Sequence, residues 1–445
     1  MVFVPYAAPG DTLEAEITDS RKNFARARIV RLIAPSKDRA TPPCPYHFQS
    51  EGRGGKGDGA ISLRPSPLTH LPCGGCTWQH LPYESQLRAK RELVQETLER
   101  LGGLRGLTVK PVLGMKDPWR YRNKVQQPVG FNGKHLISGF YAEGSHEIIP
   151  IEDCLVQPEL SVRIINRAKA LLEEHGLHAY DPKRHQGWIR HLLVRTSQEG
   201  KALLVFVTRS PEFVQESKII PVLTGEFPQL AGIHQNVQRA RTNVILGREW
   251  RRLHGLDFLE ERLGCLRFRL SPAAFFQVNS PQAEVLYDVA KSMAGSGERL
   301  LDLYTGVGTI ALWLADRFKE VGGVEENPGA VRDAEANAEL NGIENVRFVA
   351  QPVEDFVRGM GREDRRPLTL VLDPPRAGCA PAVLNALITL RPSPLIYVSC
   401  DPGTLARDLA ALTKSGYQVQ ETQPVDLFPH TPHIETAVKL VRGST

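Results

Sequence analysis

The sequence predicts an α/β protein with three parts: a doubly wound parallel sheet at the C-terminus, a mixed α/β middle domain and a small N-terminal β-barrel. Three observations carry that expectation. From about residue 271 apolar strand-like runs alternate with helical stretches through a glycine loop. Residues 105–270 alternate short strand-like runs with turns, and residues 1–40 alternate apolar and polar positions around a Pro9-Gly10-Asp11 turn. At 445 residues the chain is long for one core, and its 41% hydrophobic content is ample for several.

Taken in order, Leu13-Glu14-Ala15-Glu16-Ile17 and Ala25-Arg26-Ala27-Arg28-Ile29-Val30 supply barrel strands. A Pro-, Gly- and Cys-rich segment spans 41–80, and its Glu51-to-Gly59 run reads as a flexible loop. An amphipathic helix is expected over 85–101, with apolar positions at Leu87, Leu93, Val94, Leu98 and Leu101, and Gly102-Gly103 ends it. It opens a middle domain over 81–270. The C-terminal domain, 271–445, has strands at 300–303, 321–324, 346–349, 368–372 and 395–398, and helices at 310–318 and 330–340.

The net charge is only +5, but basic residues gather in clusters: Arg21 to Arg31, Arg120 to Lys124, and Arg239 to Arg252. Aromatics stand beside cations in Trp119-Arg120-Tyr121-Arg122-Asn123-Lys124 and in Trp188-Ile189-Arg190-His191. Flat rings beside cations suit unstacked bases on a polyanion. No apolar run reaches the ~18 residues of a membrane span, and Met1 to Tyr6 lacks the features of a secretory signal. A cytoplasmic protein without a membrane partner is expected. Seven cysteines in such a chain point to metal or catalysis before disulfides.

Four of them, Cys44, Cys73, Cys76 and Cys154, include a C-x-x-C pair and suit either structural zinc or an iron-sulfur cluster, with spacing alone leaning to zinc. Cys400 ends a strand-like run in Ser399-Cys400-Asp401-Pro402, where a polar turn gives a thiol access. Cys265 and Cys379 match no motif and are expected to pack.

Gly306-Val307-Gly308-Thr309-Ile310-Ala311 follows a strand and opens a helix, and Glu325 ends the next strand nineteen residues on. Glycines let the backbone approach a ligand, and the carboxylate can accept from both ribose hydroxyls. The loop alone does not separate NAD from S-adenosylmethionine. Asp302, on the strand end, resembles the acidic motif of S-adenosylmethionine methyltransferases, and Asp373-Pro374-Pro375-Arg376 stands where those enzymes hold the target base. Arg376 follows the prolines where amino-group methylases have an aromatic residue, which favours reaction at a ring carbon.

Phe276-Gln277-Val278-Asn279, Leu301-to-Gly308, Asp373-Pro374-Pro375-Arg376, Ser399-Cys400-Asp401-Pro402 and His433-Ile434-Glu435-Thr436 together resemble the RNA 5-methyluridine methyltransferase family. The branch it is most similar to has an OB-like TRAM barrel, an iron-sulfur cluster and chiefly 23S ribosomal RNA substrates, with some transfer RNA members. The resemblance implies a Rossmann-like methyltransferase domain in which Cys400 is the nucleophile and Glu435 the base. It implies that Gln277, Tyr304, Glu325 and Asp373 contact S-adenosylmethionine or the base beside it. It also implies a [4Fe-4S] cluster on Cys44, Cys73, Cys76 and Cys154. Here Cys44 and Cys73 are split by a glycine-rich insertion, whose closure is inexpensive because each doubling of loop length adds about 0.6 kcal/mol. RNA is the expected partner, ribosomal preferred and transfer RNA the alternative, and a monomer is expected. The rivals are a nicotinamide oxidoreductase and a non-catalytic RNA-binding factor.

Overall fold

The computed structural model describes residues 2–51, 62–64, 71–360 and 367–443. Most of the Glu51-to-Gly59 run therefore lies outside the described residues. At the N-terminus, strand Ala25–Ala34 is flanked by Val2–Phe3, parallel to it, and by Thr12–Ser20, antiparallel. Arg28 and Arg31 pair across this sheet with Glu16 and Glu14, at 2.6 and 2.9 Å. Much of the first basic cluster is thus spent within the module.

The middle sheet has seven strands, in the order Glu249–Gly255, Leu230–Val237, Ala202–Thr208, Ile189–Thr196, Lys124–Phe131, Leu136–Tyr141 and Ile148–Pro150. Ala202–Thr208 is buried along its whole length, as its unbroken apolar sequence dictates. Helices Glu159–Glu174 and Glu216–Glu226 contribute Ile164, Leu171, Ile219 and Leu223 to the core on this sheet.

The C-terminal sheet also has seven strands: Val346–Ala350, Phe318–Glu325, Gly297–Leu303, Leu368–Leu372, Leu395–Ser399, Glu435–Arg442 and Tyr417–Val425. The first five are parallel. The last two are antiparallel, Glu435–Arg442 against Leu395–Ser399 and Tyr417–Val425 against Glu435–Arg442. The expected wholly parallel sheet is corrected to that extent. The strand order reverses between Gly297–Leu303 and Leu368–Leu372, the topological switch point outside whose strand carboxyl ends open α/β sheets bind their ligands.

Helix Ser280–Ala294 packs on one face of this sheet. Helix Tyr83–Arg100 packs on the other, Val94 and Leu98 meeting Leu405, Leu409 and Leu412 of helix Pro402–Lys414. Although 81–270 was expected to form one middle domain, this first helix shares the C-terminal core. So does the hairpin of strands Leu259–Leu263 and Leu266–Leu270, through Leu263, Phe268 and Leu270. The reason is visible on the helix, whose buried stripe runs Gln86, Lys90, Val94, Leu98 while Leu93 and Leu101 face out.

Candidate active site and cysteine cavity

Cys400 directly follows strand Leu395–Ser399, and Asp401 caps helix Pro402–Lys414 by accepting the Thr404 N–H at 2.9 Å. The antiparallel register pairs Ser399 with Thr436. One residue further out on each strand stand Cys400 and Glu435, brought to the same end of the sheet from positions thirty-five apart in sequence. Asp373 ends the neighbouring strand Leu368–Leu372 and supplies a second carboxylate.

The three groups feel one another. Burial raises the Cys400 thiol to about 11, reinforced by the negative charges of Glu435 and Asp373 and opposed by Arg376. Burial lifts Glu435 well above the carboxylate range, with Asp373 adding to the shift and Arg376 again opposing it. Asp373 is raised to about 7 by burial. Glu435 Oε2 is buried and has no hydrogen-bond partner, so one oxygen stands ready to accept a proton.

Below this triad lies the glycine loop. Asp302 Oδ2 accepts from Thr305 Oγ1 at 2.6 Å and from the Ala311 amide at 3.0 Å, tying the loop to the helix Thr309–Leu314 that it opens. Burial raises Asp302 to about 7. Glu325 accepts from the Gly306 and Asn327 amides at 3.1 and 2.9 Å, which aims its carboxylate at the loop. Gly308 has φ +83°, and a Cβ there would come within 2.9 Å of Phe348. Only glycine fits that position.

Gln277 is buried, and its carbonyl accepts from Asn123 of the middle domain at 3.0 Å. Tyr304 follows strand Gly297–Leu303 with φ +65°, and its hydroxyl meets Cys379 rather than Cys400. Tyr287 was not singled out in the sequence. It is buried, donates to Thr309 Oγ1 at 3.2 Å, and its phenol is raised by burial and then by Asp373, Asp302 and Glu435. Only its helical spacing was readable.

The segment before Glu435 is anchored by a buried network that sequence reading also missed. Lys90 Nζ meets Asp426 Oδ1 at 2.6 Å, both side chains fully buried, and donates to Phe428 O at 3.0 Å. Gln86 accepts the His430 amide at 2.9 Å, and the His430 ring stacks on Trp119 with centroids 3.8 Å apart. A lysine and a glutamine four apart on the inward helix face were the available signal.

Cys44, Cys73, Cys76 and Cys154 line one cavity of about 300 Å³. Tyr46, Ile149, Ile151 and Phe140 enclose them. Gly74 lets the cysteine turn press on the middle domain, since a Cβ would lie 2.9 Å from Tyr141 O. Burial raises the thiols of Cys44 and Cys73 to about 11 and about 12, and those of Cys76 and Cys154 upward as well. Among the described residues no group of three or more His, Cys, Asp or Glu side chains is arranged to hold a metal ion. Arg122, Arg376, Phe428 and His433 also line the cavity, so it reaches from the cysteines toward the end of the sheet that carries Cys400 and Glu435.

Other expectations are corrected. Trp188 is buried against Phe213, and Arg190 stacks on Tyr180 while donating to the carbonyls of Gln238, Ala240 and Thr242. That pair builds the domain instead of displaying rings to a ligand. Arg120 is held by Asp153 at 2.7 Å, and Cys265 is exposed, not packed. Cys379 is buried as expected.

The family described as tRNA (Uracil-5-)-methyltransferase matches residues 237–443, and the TRAM domain matches 1–30. A Bacillus cereus protein described as an uncharacterized RNA methyltransferase is 40% identical, over 99% of this chain and 92% of its own length. A protein of Halalkalibacterium halodurans with the same description is 39% identical over 99% of this chain and 92% of its own. The crystal structure of Pyrococcus abyssi tRNA (uracil-54, C5)-methyltransferase with S-adenosyl-L-homocysteine superposes with a TM-score of 0.74. It is 27% identical and covers 99% of this chain and 95% of that one. No helix among the described residues is long and apolar enough to cross a membrane. This chain therefore belongs to the tRNA (uracil-5-)-methyltransferase family, the S-adenosylmethionine-dependent RNA methyltransferases of uracil-5 type.

Proposed function

We propose that this chain makes 5-methyluridine in structured RNA through a covalent adduct between Cys400 and carbon 6 of the target uracil, with 23S ribosomal RNA as the preferred substrate. The observation that carries the mechanism is the register that sets Cys400 beside Glu435 with Asp373 one strand away. Carbon 5 of uracil is too weak a nucleophile to take a methyl group unaided. Cys400 gives its proton to solvent, with Arg376 favouring the thiolate; the sulfur bonds to carbon 6 as the carbon 5–carbon 6 double bond opens, and the ring becomes an enolate rich in electrons at carbon 5. S-adenosylmethionine supplies the electrophilic methyl. Glu435, a strengthened base with a free oxygen, then removes the carbon 5 proton, the ring double bond re-forms and Cys400 leaves. Glu325 orients the cofactor ribose, with Gln277, Tyr304 and Asp373 contacting the cofactor or the uracil beside it. The target uridine has to leave its stack to reach Cys400, at a cost of a few kcal/mol.

Cys44, Cys73, Cys76 and Cys154 would hold the [4Fe-4S] cluster. Support comes from four soft donors around one apolar cavity, whose crowded thiols need a cation to ionise together. Four cysteines match the one thiolate per iron that a [4Fe-4S] cluster takes. A zinc ion instead draws its ligands to about 2.3 Å from a single point.

The ribosomal preference rests on the barrel and cysteines. Transfer RNA is the second reading, favoured by the full-length similarity to the archaeal tRNA enzyme. Incubation with S-adenosylmethionine and either 23S fragments or tRNA transcripts, followed by nucleoside mass spectrometry, tests both. We expect 5-methyluridine in 23S RNA. Its formation in tRNA alone would reverse the substrate assignment, and its absence from both would overturn the activity.

A further inference from the structure

The cysteine cavity has two polar neighbours that metal ligation does not account for. Cys76-Thr77-Trp78-Gln79 and Cys154-Leu155-Val156-Gln157 share the spacing Cys-x-x-Gln. Both glutamines are buried, Gln79 at 4% exposure and Gln157 at 0%. Gln79 lines the cavity, and its Oε1 accepts the Cys44 amide hydrogen at 3.3 Å. With the carbonyl end committed, the NH₂ end is the one left to meet Cys76, and the side chain is in hydrogen-bonding contact with that sulfur. The Gln157 backbone amide donates to Cys154 O at 3.0 Å, a tight turn that keeps Gln157 close to the cysteine. The Gln157 amide lies against the Cys154 sulfur, yet neither its Nε2 nor its Oε1 has a partner in full hydrogen-bonding geometry. A fully buried, unsatisfied amide next to a ligand sulfur calls for an acceptor. A metal-bound thiolate, which carries more negative charge than a thiol, is that acceptor.

We propose that Gln79 and Gln157 donate N–H···S hydrogen bonds to the Cys76 and Cys154 ligands and thereby set the reduction potential of the cluster those cysteines hold. The proposal rests on the iron-sulfur reading above. Donors to ligand sulfur withdraw electron density and favour the reduced, more negative cluster, so each amide raises the potential. The two glutamines are positioning residues that act through cysteine.

The test uses the full chain purified anaerobically, with iron and zinc quantified and the cluster titrated with dithionite under electron paramagnetic resonance. We expect iron in the wild type, and a midpoint potential that shifts negative in Gln79→Leu and in Gln157→Leu, further in the double variant. In parallel, wild-type protein labelled with ¹⁵N-glutamine should show nitrogen couplings to the reduced cluster in pulsed resonance spectra, a readout independent of whether a variant keeps its iron. Zinc in place of iron in the wild type overturns the cluster reading and the proposal with it. Retained iron with an unchanged potential, or no ¹⁵N coupling, overturns the glutamine assignment alone.

Discussion

At the scale of single residues, two carboxylates held at high proton affinity and one arginine set the reactivity of Cys400. A thiol raised to about 11 is mostly protonated near neutrality, and its thiolate fraction grows as pH rises toward that value. Alkylation of Cys400 by iodoacetamide in the free enzyme should therefore accelerate about tenfold per pH unit between about pH 7 and pH 9. Peptide mass spectrometry measures it, and a plateau by about pH 8 would contradict the stated environment. Glu435→Gln keeps the shape but cannot take the carbon 5 proton. With ordinary uridine RNA it should accumulate a methylated, covalently linked complex on denaturing gels, with turnover down at least about a hundredfold. Normal turnover would remove Glu435 from the mechanism. Cys400 and Glu435 were singled out in the sequence because each sits in a short motif with strong chemistry, and the strand register brings them to one end of the sheet. Tyr287 was not, since a tyrosine on a helical apolar stripe reads the same whether or not carboxylates surround it.

At the scale of elements, the site depends on how two segments are pinned. The stretch ahead of Glu435 is held by the buried Lys90–Asp426 pair, which also takes the Tyr83 hydroxyl at 2.9 Å. Lys90→Met strands a buried carboxylate and should cost about 3–5 kcal/mol in urea unfolding, much of it recovered by adding Asp426→Leu. A loss below about 1 kcal/mol would show that the pair anchors nothing. In the cofactor loop, Gly308→Ala forces a left-handed residue against Phe348 and Ala334. S-adenosylmethionine affinity by calorimetry should fall about tenfold or more, a penalty of at least ~1.4 kcal/mol; an unchanged affinity would place the cofactor elsewhere. The five parallel strands were readable from apolar runs between loops. Tyr417–Val425 and Glu435–Arg442 were not, because the first carries alternating polar residues and Pro424, and no short turn signal joins the two. Helix Tyr83–Arg100 was placed with the middle domain because Gln86 and Lys90 disguise its buried face as a polar one.

At the scale of the whole molecule, the catalytic end is where all parts meet. Tyr121 of the middle domain donates to Pro429 O at 3.1 Å, Trp78 of the cysteine segment donates to His430 O at 2.9 Å, and Asn279 donates to Leu427 O at 3.1 Å. The cysteine segment, the middle domain and the C-terminal domain thus converge on the short segment that delivers Glu435. Basic clusters overstated the free positive charge, since Arg28, Arg31, Arg120, Arg239, Arg251 and Arg252 all form ion pairs. Sequence spacing cannot show whether a cation faces RNA or a neighbouring carboxylate. Arg122 and Arg376 form no ion pair among the described residues and line the cavity that also holds the four cysteines. The account as a whole stands on a sulfur–carbon bond to the substrate. RNA carrying 5-fluorouridine at the target position, incubated with the full chain and S-adenosylmethionine, cannot lose the carbon 5 substituent as a proton. Mass spectrometry of the digested complex should find the methylated fluorouridine attached to the peptide containing Cys400, and no complex with Cys400→Ala. Adduct on another residue, or an unaffected yield from Cys400→Ala, would contradict it.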